Sequence, residues 1–349
     1  MGLERKQFRS IDLTDSFFDS LKADYEEFEE WFVRKAENWA YIHTQDDGTL
    51  DGFLYLKIED DAVTDMEPEL PPARRVKVGT FKIEAHGTKL GERFVKKIFD
   101  HAVEEKVNQL YVTIFEKHAG LVALFHRYGF ERVGYKNTVN GTELVLLRDL
   151  NWRNDVSRDK NYPLIKMDGA FYHVGIYPAY HTRLLPDSIL NNENVRIVED
   201  VSHANSINKI FLSRINRIMN MSAGDKVVMY RTGDGAGPAE YRAVATSLCV
   251  VEEARRLDSF ADADEFIAYA RSHSVFSDDD LRIFFDEKKY LFALKFTYNI
   301  ALRRRLTRHH LIENVGIHRN AYPGFIKLTR AQYRQIAIDG GIDESLIID

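Results

Sequence analysis

The sequence predicts an α+β chain made of two globular units, each combining strands with helices. Two observations predict this. Segments that alternate polar with β-branched or aromatic residues, the mark of half-buried strands, are interleaved with segments whose apolar residues recur every three or four positions, the mark of amphipathic helices. At 349 residues, with 44% hydrophobic and 29% charged residues, the chain is long enough for two cores and has ordinary soluble usage.

The first half is read in order from its N-terminus. Asp15 to Lys35 reads as one or two helices, with Phe17, Phe18, Leu21, Tyr25, Phe28, Trp31 and Phe32 on one face, a core stripe. Trp39 to Thr44 and Asp51 to Ile58 form a hairpin, and Asp60 to Pro72 is a proline-bearing loop. Arg75 to Ile83 (RVKVGTFKI) is a strand, Ala85 to Gly91 (AHGTKLG) a glycine-bearing turn, and Glu92 onward a helix that places Phe94, Ile98, Phe99 and Ala102 on one side. Leu110 to Phe115 is a second strand, Ala119 to Arg127 a short helix ending in Tyr128-Gly129-Phe130, and Glu131 to Tyr135 and Glu143 to Arg148 a last pair of strands.

Strand, glycine turn and helix make an anion site. The first amides of a helix lack internal partners and sit at the positive end of its dipole, and glycine lets backbone approach a phosphate closely. The amides from about Gly87 to Glu92 are the expected cradle, with Lys89 adding charge.

These residues together resemble the GNAT superfamily of acyl-CoA N-acyltransferases over about residues 10 to 150. The family's phosphate loop, Q/R-x-x-G-x-G/A, lies over His86-Gly87-Thr88-Lys89-Leu90-Gly91, and its helix ending in Gly-Phe lies over Phe125 to Phe130. Lys89 stands where the family has its first loop glycine, His86 where it has Gln or Arg, and Phe125 where many members carry a proton-donating Tyr. The resemblance implies a mixed-sheet acyltransferase fold, acetyl-CoA as donor co-substrate and direct transfer to an amine. It implies cofactor contacts from the backbone of Phe81, Lys82 and Ile83, from His86 through Glu92, and from His118 and Phe125. Glu84 is the first candidate base and Glu116 the second; Tyr128 is the nearest phenol to the vacated acid position, on the other side of that helix end.

Asn151 to Asn194 is expected as a folded connector, polar at first and then aromatic, with a strand at Phe171 to Ile176 and a helical turn at Pro178 to Leu185. The domain reading is therefore 1–150, 151–194 and 195–349. The last part is read as a helix at Ser206 to Asn216, strands at Lys226 to Thr232, Tyr241 to Val251 and Tyr290 to Ile300, and helices at Ala263 to Ser272, Asp278 to Phe285 and Leu328 to Ile338. Opened by GDKVVMYRT, it resembles the PUA-like folds, including the ASCH and EVE types. That implies a small β-barrel with peripheral helices, whose cleft often holds a nucleobase. Tyr230, Arg231, Arg303, Arg304, Arg305 and Arg308 are the expected nucleic-acid contacts.

Composition narrows the classes further. The single cysteine, Cys249, lies in an apolar run and makes neither a disulfide nor a metal set, so no metal is expected. No apolar run approaches a membrane helix, and the start MGLERKQFRS has no signal-peptide core, so the expected compartment is the cytoplasm. Three readings follow. The chain is an acetyltransferase whose second half presents RNA, tRNA or another nucleic acid carrying the acceptor amine. Or it acetylates a small amine or a protein, with the second half shaping the cleft or pairing two copies into a homodimer. Or it is a non-catalytic acyl-CoA sensor that reads a modified base.

Overall fold

The computed structural model describes residues 2–45, 47–84, 89–154, 157–188 and 207–349. It folds as two compact units, Met1–Tyr162 and Pro163–Asp349. Both are mixed α/β, as expected for the class. No helix among the described residues is long and apolar enough to cross a membrane.

The first unit holds β1 (Gly2–Gln7), α1 (Asp19–Asp24), α2 (Phe28–Arg34), β2 (Trp39–Thr44), β3 (Leu50–Glu59), β4 (Arg75–Ile83), α3 (Leu90–Glu105), β5 (Gln109–Phe115), α4 (Ala119–Arg127), β6 (Glu131–Thr138), β7 (Gly141–Asp149) and α5 (Arg158–Asn161). Its seven strands run in the order β1-β2-β3-β4-β5-β7-β6. All pairs are antiparallel except β4 with β5. Alternation along the strands sorts the side chains onto two faces. Phe53 and Tyr55 face α1 and α2, where Phe8, Phe17, Phe18, Phe28 and Phe32 close a buried aromatic cluster. Edge-to-face pairs such as Phe18 with Phe53, 5.5 Å between centroids, fix its geometry. Phe81 faces the other way, against Phe94 of α3 and Phe125 of α4. The stripe read at Asp15 to Lys35 is thus core, divided among a 3-10 turn at Ser16–Phe18, α1 and α2.

Two features of β4 shape the centre of this sheet. Across the β3–β4 ladder, Tyr55 is opposite Thr80 and Leu56 opposite Val78, so Gly79 is an extra residue, a bulge that bends the strand. A Cβ on Gly79 would sit 2.7 Å from the Tyr55 ring, so no larger residue fits there without a shift. On its other side β4 pairs with β5 only from Arg75 opposite Gln109 to Val78 opposite Val112. Beyond that point the two parallel strands part.

The second unit holds β8 (Ile165–Lys166), β9 (Phe171–Ile176), α6 (Pro178–Leu184), β10 (Asn208–Ser213), β11 (Lys226–Arg231), α7 (Ala239–Arg242), β12 (Val244–Arg256), α8 (Ala263–Ala270), α9 (Asp278–Asp286), β13 (Phe292–Thr307), α10 (Arg308–Glu313), β14 (Phe325–Leu328), α11 (Arg330–Asp339) and β15 (Ile347–Ile348). Six strands form one mixed sheet, β10-β13-β12-β11-β9-β14, and β8 pairs with β15. This corrects the expected small barrel: among the described residues the sheet is open, with β10 and β14 at its edges. Two long bulged strands, β12 and β13, pair side by side within it.

A second correction concerns Ser206 to Asn216. The helix expected there is the strand β10 followed by a 3-10 turn at Asn216–Asn220, and Ser206 itself lies outside the described residues. Both faces of β10 are covered: Ile210 and Leu212 pack with α8 and α9, while Phe211 leans on the central core. Burial on both faces hides the two-residue period. α9 starts with a capping box, in which the Ser277 hydroxyl accepts from the Asp280 amide and the Asp280 carboxylate from the Ser277 amide. Ser277→Ala should cost about 1 kcal/mol of stability in the second unit, measured by urea unfolding.

Candidate functional site

The parting of β4 and β5 opens a cleft of about 950 Å³ in the first unit. Its floor is the unpaired ends of the two strands, Gly79 to Ile83 and Thr113 to Phe115. One wall is α1 and α2; another is the β6–β7 hairpin; the starts of α3 and α4 close the rest, through Gly91 and Ala119 to Leu121.

The ladder decides which backbone groups face the cleft. The Glu84 amide donates to the Asp51 carbonyl of β3 at 3.0 Å. In an antiparallel ladder bonded positions alternate, so Lys82 takes the next bonded position opposite Phe53. The amides of Phe81 and Ile83 therefore turn toward the side where β5 has moved away. They are donors without a partner on β5.

Gly91 is in the first turn of α3, and a Cβ there would lie 2.9 Å from Leu124 and 3.6 Å from Ile83. Its bare backbone lets α3 and α4 close on the strand end and leaves the helix start facing the cleft. His86, Gly87 and Thr88 of the expected phosphate loop lie outside the described residues. Of the rest, Leu90 is buried, and Glu92 is buried and clamped by Arg127 at 3.0 Å and by Lys89 at 3.3 Å. The Glu92 side chain thus holds α3 to the end of α4. The polar groups of Lys82 are committed elsewhere, its backbone to the ladder with β3 and its ammonium to the Phe17 carbonyl and the Ser20 hydroxyl, the latter at 2.7 Å.

None of the three residues expected to carry the proton chemistry lines this cleft. Glu84 is half exposed and pairs with Lys82 at 2.8 Å. Glu116 is exposed beyond the end of β5. Tyr128 is fully buried, its ring 5.8 Å from Tyr162, and burial raises its phenol pKa far above the ordinary value. Phe125 is a core ring between Phe81 and Phe130. His118, in contrast, does line the cleft, with Nε2 3.2 Å from Asp24.

The structure brings into the cleft a pair that the sequence reading did not single out. The Tyr25 hydroxyl donates to Glu143 Oε1 at 2.6 Å. Glu143 is 3% exposed and lies opposite Phe115 on the same sheet face as Thr113. The Tyr25 ring packs on Phe115 at 5.3 Å. Burial, and then the bond to Glu143, raise the Tyr25 phenol so that it keeps its proton at any working pH. Glu143 is accordingly an oriented carboxylate with a fixed donor on one oxygen, a geometry suited to accepting a proton. The signal available in sequence was the alternation itself, which puts Glu143 on the face that Tyr25 covers.

Lysines outnumber carboxylates in the lining of the cleft, and Glu59, Asp65 and Glu84 pair with four of them from outside it. Six lysines line it, against the carboxylates of Asp24, Glu27 and Glu143, in a chain whose net charge is −6. The cleft therefore suits anionic ligands.

In the second unit the expected nucleic-acid contacts are scattered by burial. Tyr230 is buried against His173, centroids 4.4 Å apart, and Arg231 is buried on β11. Arg305 and Arg308 are half-buried and donate to backbone carbonyls, of Asp187 at 3.0 Å and of Arg319 at 2.7 Å. Arg303 and Arg304 are exposed near the end of β13. Glu240, His309 and Glu313 bring three possible ligand atoms within 4.8 Å of one another. Arg319 pairs with both carboxylates there, at 2.9 and 2.6 Å, and supplies the positive charge of that cluster.

No family model and no curated protein matches the chain. Solved structures match parts of it. The NatC complex bound to Gag peptide and CoA matches 43% of this chain and 100% of its own, at 16% identity and a TM-score of 0.30. The IAA acetyltransferase from Bacillus cereus ATCC 14579 matches 43% of this chain and 99% of its own, at 14% identity and a TM-score of 0.33. A mutant form of ZmASCH from Zymomonas mobilis matches 48% of this chain and 95% of its own, at 10% identity and a TM-score of 0.32. The structural neighbours thus include N-acetyltransferases and an ASCH protein.

Proposed function

We propose that this chain is an acyl-CoA-dependent N-acyltransferase that uses acetyl-CoA and transfers the acyl group directly to an amine. One observation carries the reading: β4 and β5 part after Val78 and Val112, leaving the Phe81 and Ile83 amides facing a cleft that ends at the start of α3. Such a cleft fits the three demands of the reaction. The first turn of α3 faces the diphosphate end, where Gly91 keeps the approach open. The strand amides donate to the thioester carbonyl and to the oxyanion that forms from it. Glu143 takes the amine's proton.

The balance is simple. The amine nitrogen attacks the carbonyl carbon, a C–N bond forms, the C–S bond breaks, the departing thiolate gains a proton and the amide loses one. Holding donor and amine together in one cleft supplies about 7–11 kcal/mol of the barrier reduction in well-oriented reactions. The missing phenol at Phe125 is compatible with this, because the thiolate is a good leaving group and a water can protonate it. For the second unit, an RNA-presenting role has Arg303 and Arg304 as its exposed cations, so bulk tRNA is one acceptor to be tested.

The test is stabilisation by CoA. All three tryptophans, Trp31, Trp39 and Trp152, are in the first unit, so their fluorescence follows that unit alone. CoA at about a hundred times its Kd should add roughly 2.7 kcal/mol, a shift on the order of 5–10 °C. Gly91→Glu at the start of α3 and Thr113→Trp in the gap between the strands should each abolish the shift. Circular dichroism checks that the variants are folded. A wild-type chain that CoA does not stabilise refutes the reading.

A further inference from the structure

We infer that the acceptor is a small amine bearing an anionic group, a carboxylate or a phosphate, held by lysines on the sheet face opposite α3. The inference rests on the acyltransferase reading above and concerns the other half of the same cleft.

The two faces of the sheet separate the ligands. Lys57 and Lys77 are opposite each other across the β3–β4 ladder, so both side chains lie on one face. Tyr55, two residues before Lys57, shares that face and packs against Trp31 of α2, 5.8 Å between centroids. Lys77 sits over the Tyr111 ring at 5.3 Å. Lys136 is on the same face too, since it lies opposite Glu143 in the β6–β7 ladder. Phe81 and Ile83 point the other way, toward α3 and α4. The phosphates of the donor belong at the start of α3. They leave these lysines without an anion from that source.

The local carboxylates do not match them either. Lys57 and Lys77 share Glu59, which also accepts the Tyr111 hydroxyl. Lys136 pairs with Asp65. Lys35, on the same wall as Trp31, makes no ion pair among the described residues. Four ammonium groups thus line this part of the cleft; Glu59 and Asp65, which serve three of them, lie outside the lining, and of the carboxylates inside it Glu143 accepts from the Tyr25 hydroxyl at 2.6 Å and Glu27 from Asn140 at 3.0 Å. The Lys77 and Lys136 side chains are only 18% and 20% exposed. Burial lowers the Lys77 pKa, and Lys136 and Lys57 lower it further against the opposing pull of Glu59. Partly desolvated ammonium groups that share a carboxylate, as Lys57 and Lys77 share Glu59, favour an incoming anion. Lysine ammoniums serve either anion as point charges, so a carboxylate and a phosphate are both fitted. A cleft of about 950 Å³, shared with the donor's arm, takes a small molecule.

The experiment measures thiol release from acetyl-CoA by the full chain; its one cysteine, Cys249, is buried and adds little background. The acceptors are matched in size: an aminocarboxylate, an aminophosphate, an uncharged aminoalcohol and a diamine, with bulk tRNA alongside. Either anionic amine should exceed the aminoalcohol by at least about tenfold in kcat/KM, and whichever is better identifies the anion. Lys57→Ala and Lys136→Ala should each cut that preference about tenfold, mainly through KM, the loss expected for one charge-assisted contact. Binding of the two anionic amines to the CoA-loaded protein is measured by calorimetry on the same samples. Preference for the aminoalcohol, the diamine or tRNA overturns the inference, as does a variant that affects all acceptors equally. So does the absence of both turnover and binding of the anionic amines. CoA stabilisation of these samples separates the outcomes: if it is retained, only the inference falls; if it is absent, the acyltransferase reading falls with it.

Discussion

Replacing Glu143 with Gln should lower kcat about 10²- to 10⁴-fold, the span typical of losing a positioned proton acceptor, while CoA still raises the melting temperature of the first unit. Gln keeps the shape and can still accept from the Tyr25 hydroxyl through its carbonyl, so the 2.6 Å contact survives while the negative charge is lost. The rate should recover in part as pH rises, because a larger share of the amine then arrives neutral. Tyr25→Phe separates position from charge: it removes the donor, leaves the carboxylate and should cost less than Glu143→Gln. Equal rates for wild type and Glu143→Gln would take the proton-accepting role away from this residue. A chain that binds CoA but turns over no amine, with or without Glu143, would be a sensor.

The backbone of this site was legible in the sequence and its chemistry was not. Arg75 to Ile83 and Ala119 to Arg127 read as a strand and a helix because one apolar face made the period plain, and both form with those bounds. β1 has no such face. Glu4, Arg5 and Lys6 sit in an edge strand, where charge discourages further pairing, and alternation gives no signal. Whether β12 and β13 belong to a barrel or to an open sheet depends on bulges and on which edges meet, and neither follows from propensity. Glu84 and Glu116 follow the ends of β4 and β5, which is why the sequence offers them as proton acceptors. A strand end fixes the backbone, however, and not the surroundings of the carboxylate. Tyr25 and Glu143 are 118 positions apart and meet only because β7 lies beside β5 under α1 and α2. Periodicity placed Tyr25 correctly on the core stripe and was silent about where its hydroxyl would point.

The second unit should lose stability steeply between pH 6.5 and about 4.5, because two of its histidines are buried neutral. His181 on α6 is fully buried, with Nε2 2.8 Å from the Thr246 hydroxyl, which in turn donates to the Met229 carbonyl at 3.2 Å. His173 on β9 is buried with Nε2 3.1 Å from the Pro323 carbonyl. Burial pushes their pKa values down to about 3 for His181 and about 4 for His173; Arg231 and Arg305 add to the effect at His181, and Arg308 at His173. In the unfolded chain both titrate near 6.5. Above that pH neither state binds a proton and stability is flat. Below it the unfolded chain takes two protons that the folded unit refuses, so stability falls as pH falls, by about 1.4 kcal/mol per pH unit for each histidine. From pH 7 to 4.5 the loss is about 5 kcal/mol, comparable with the whole stability of many domains. Ordinary carboxylates titrate near 4, below most of this window. The second unit has no tryptophan, so hydrogen exchange of β9 and α6 peptides is the readout. His173→Gln with His181→Gln should flatten the slope. If that variant does not fold, the wild-type imidazole resonances decide: they should not titrate above pH 5, and titration near 6.5 would show that both rings reach water.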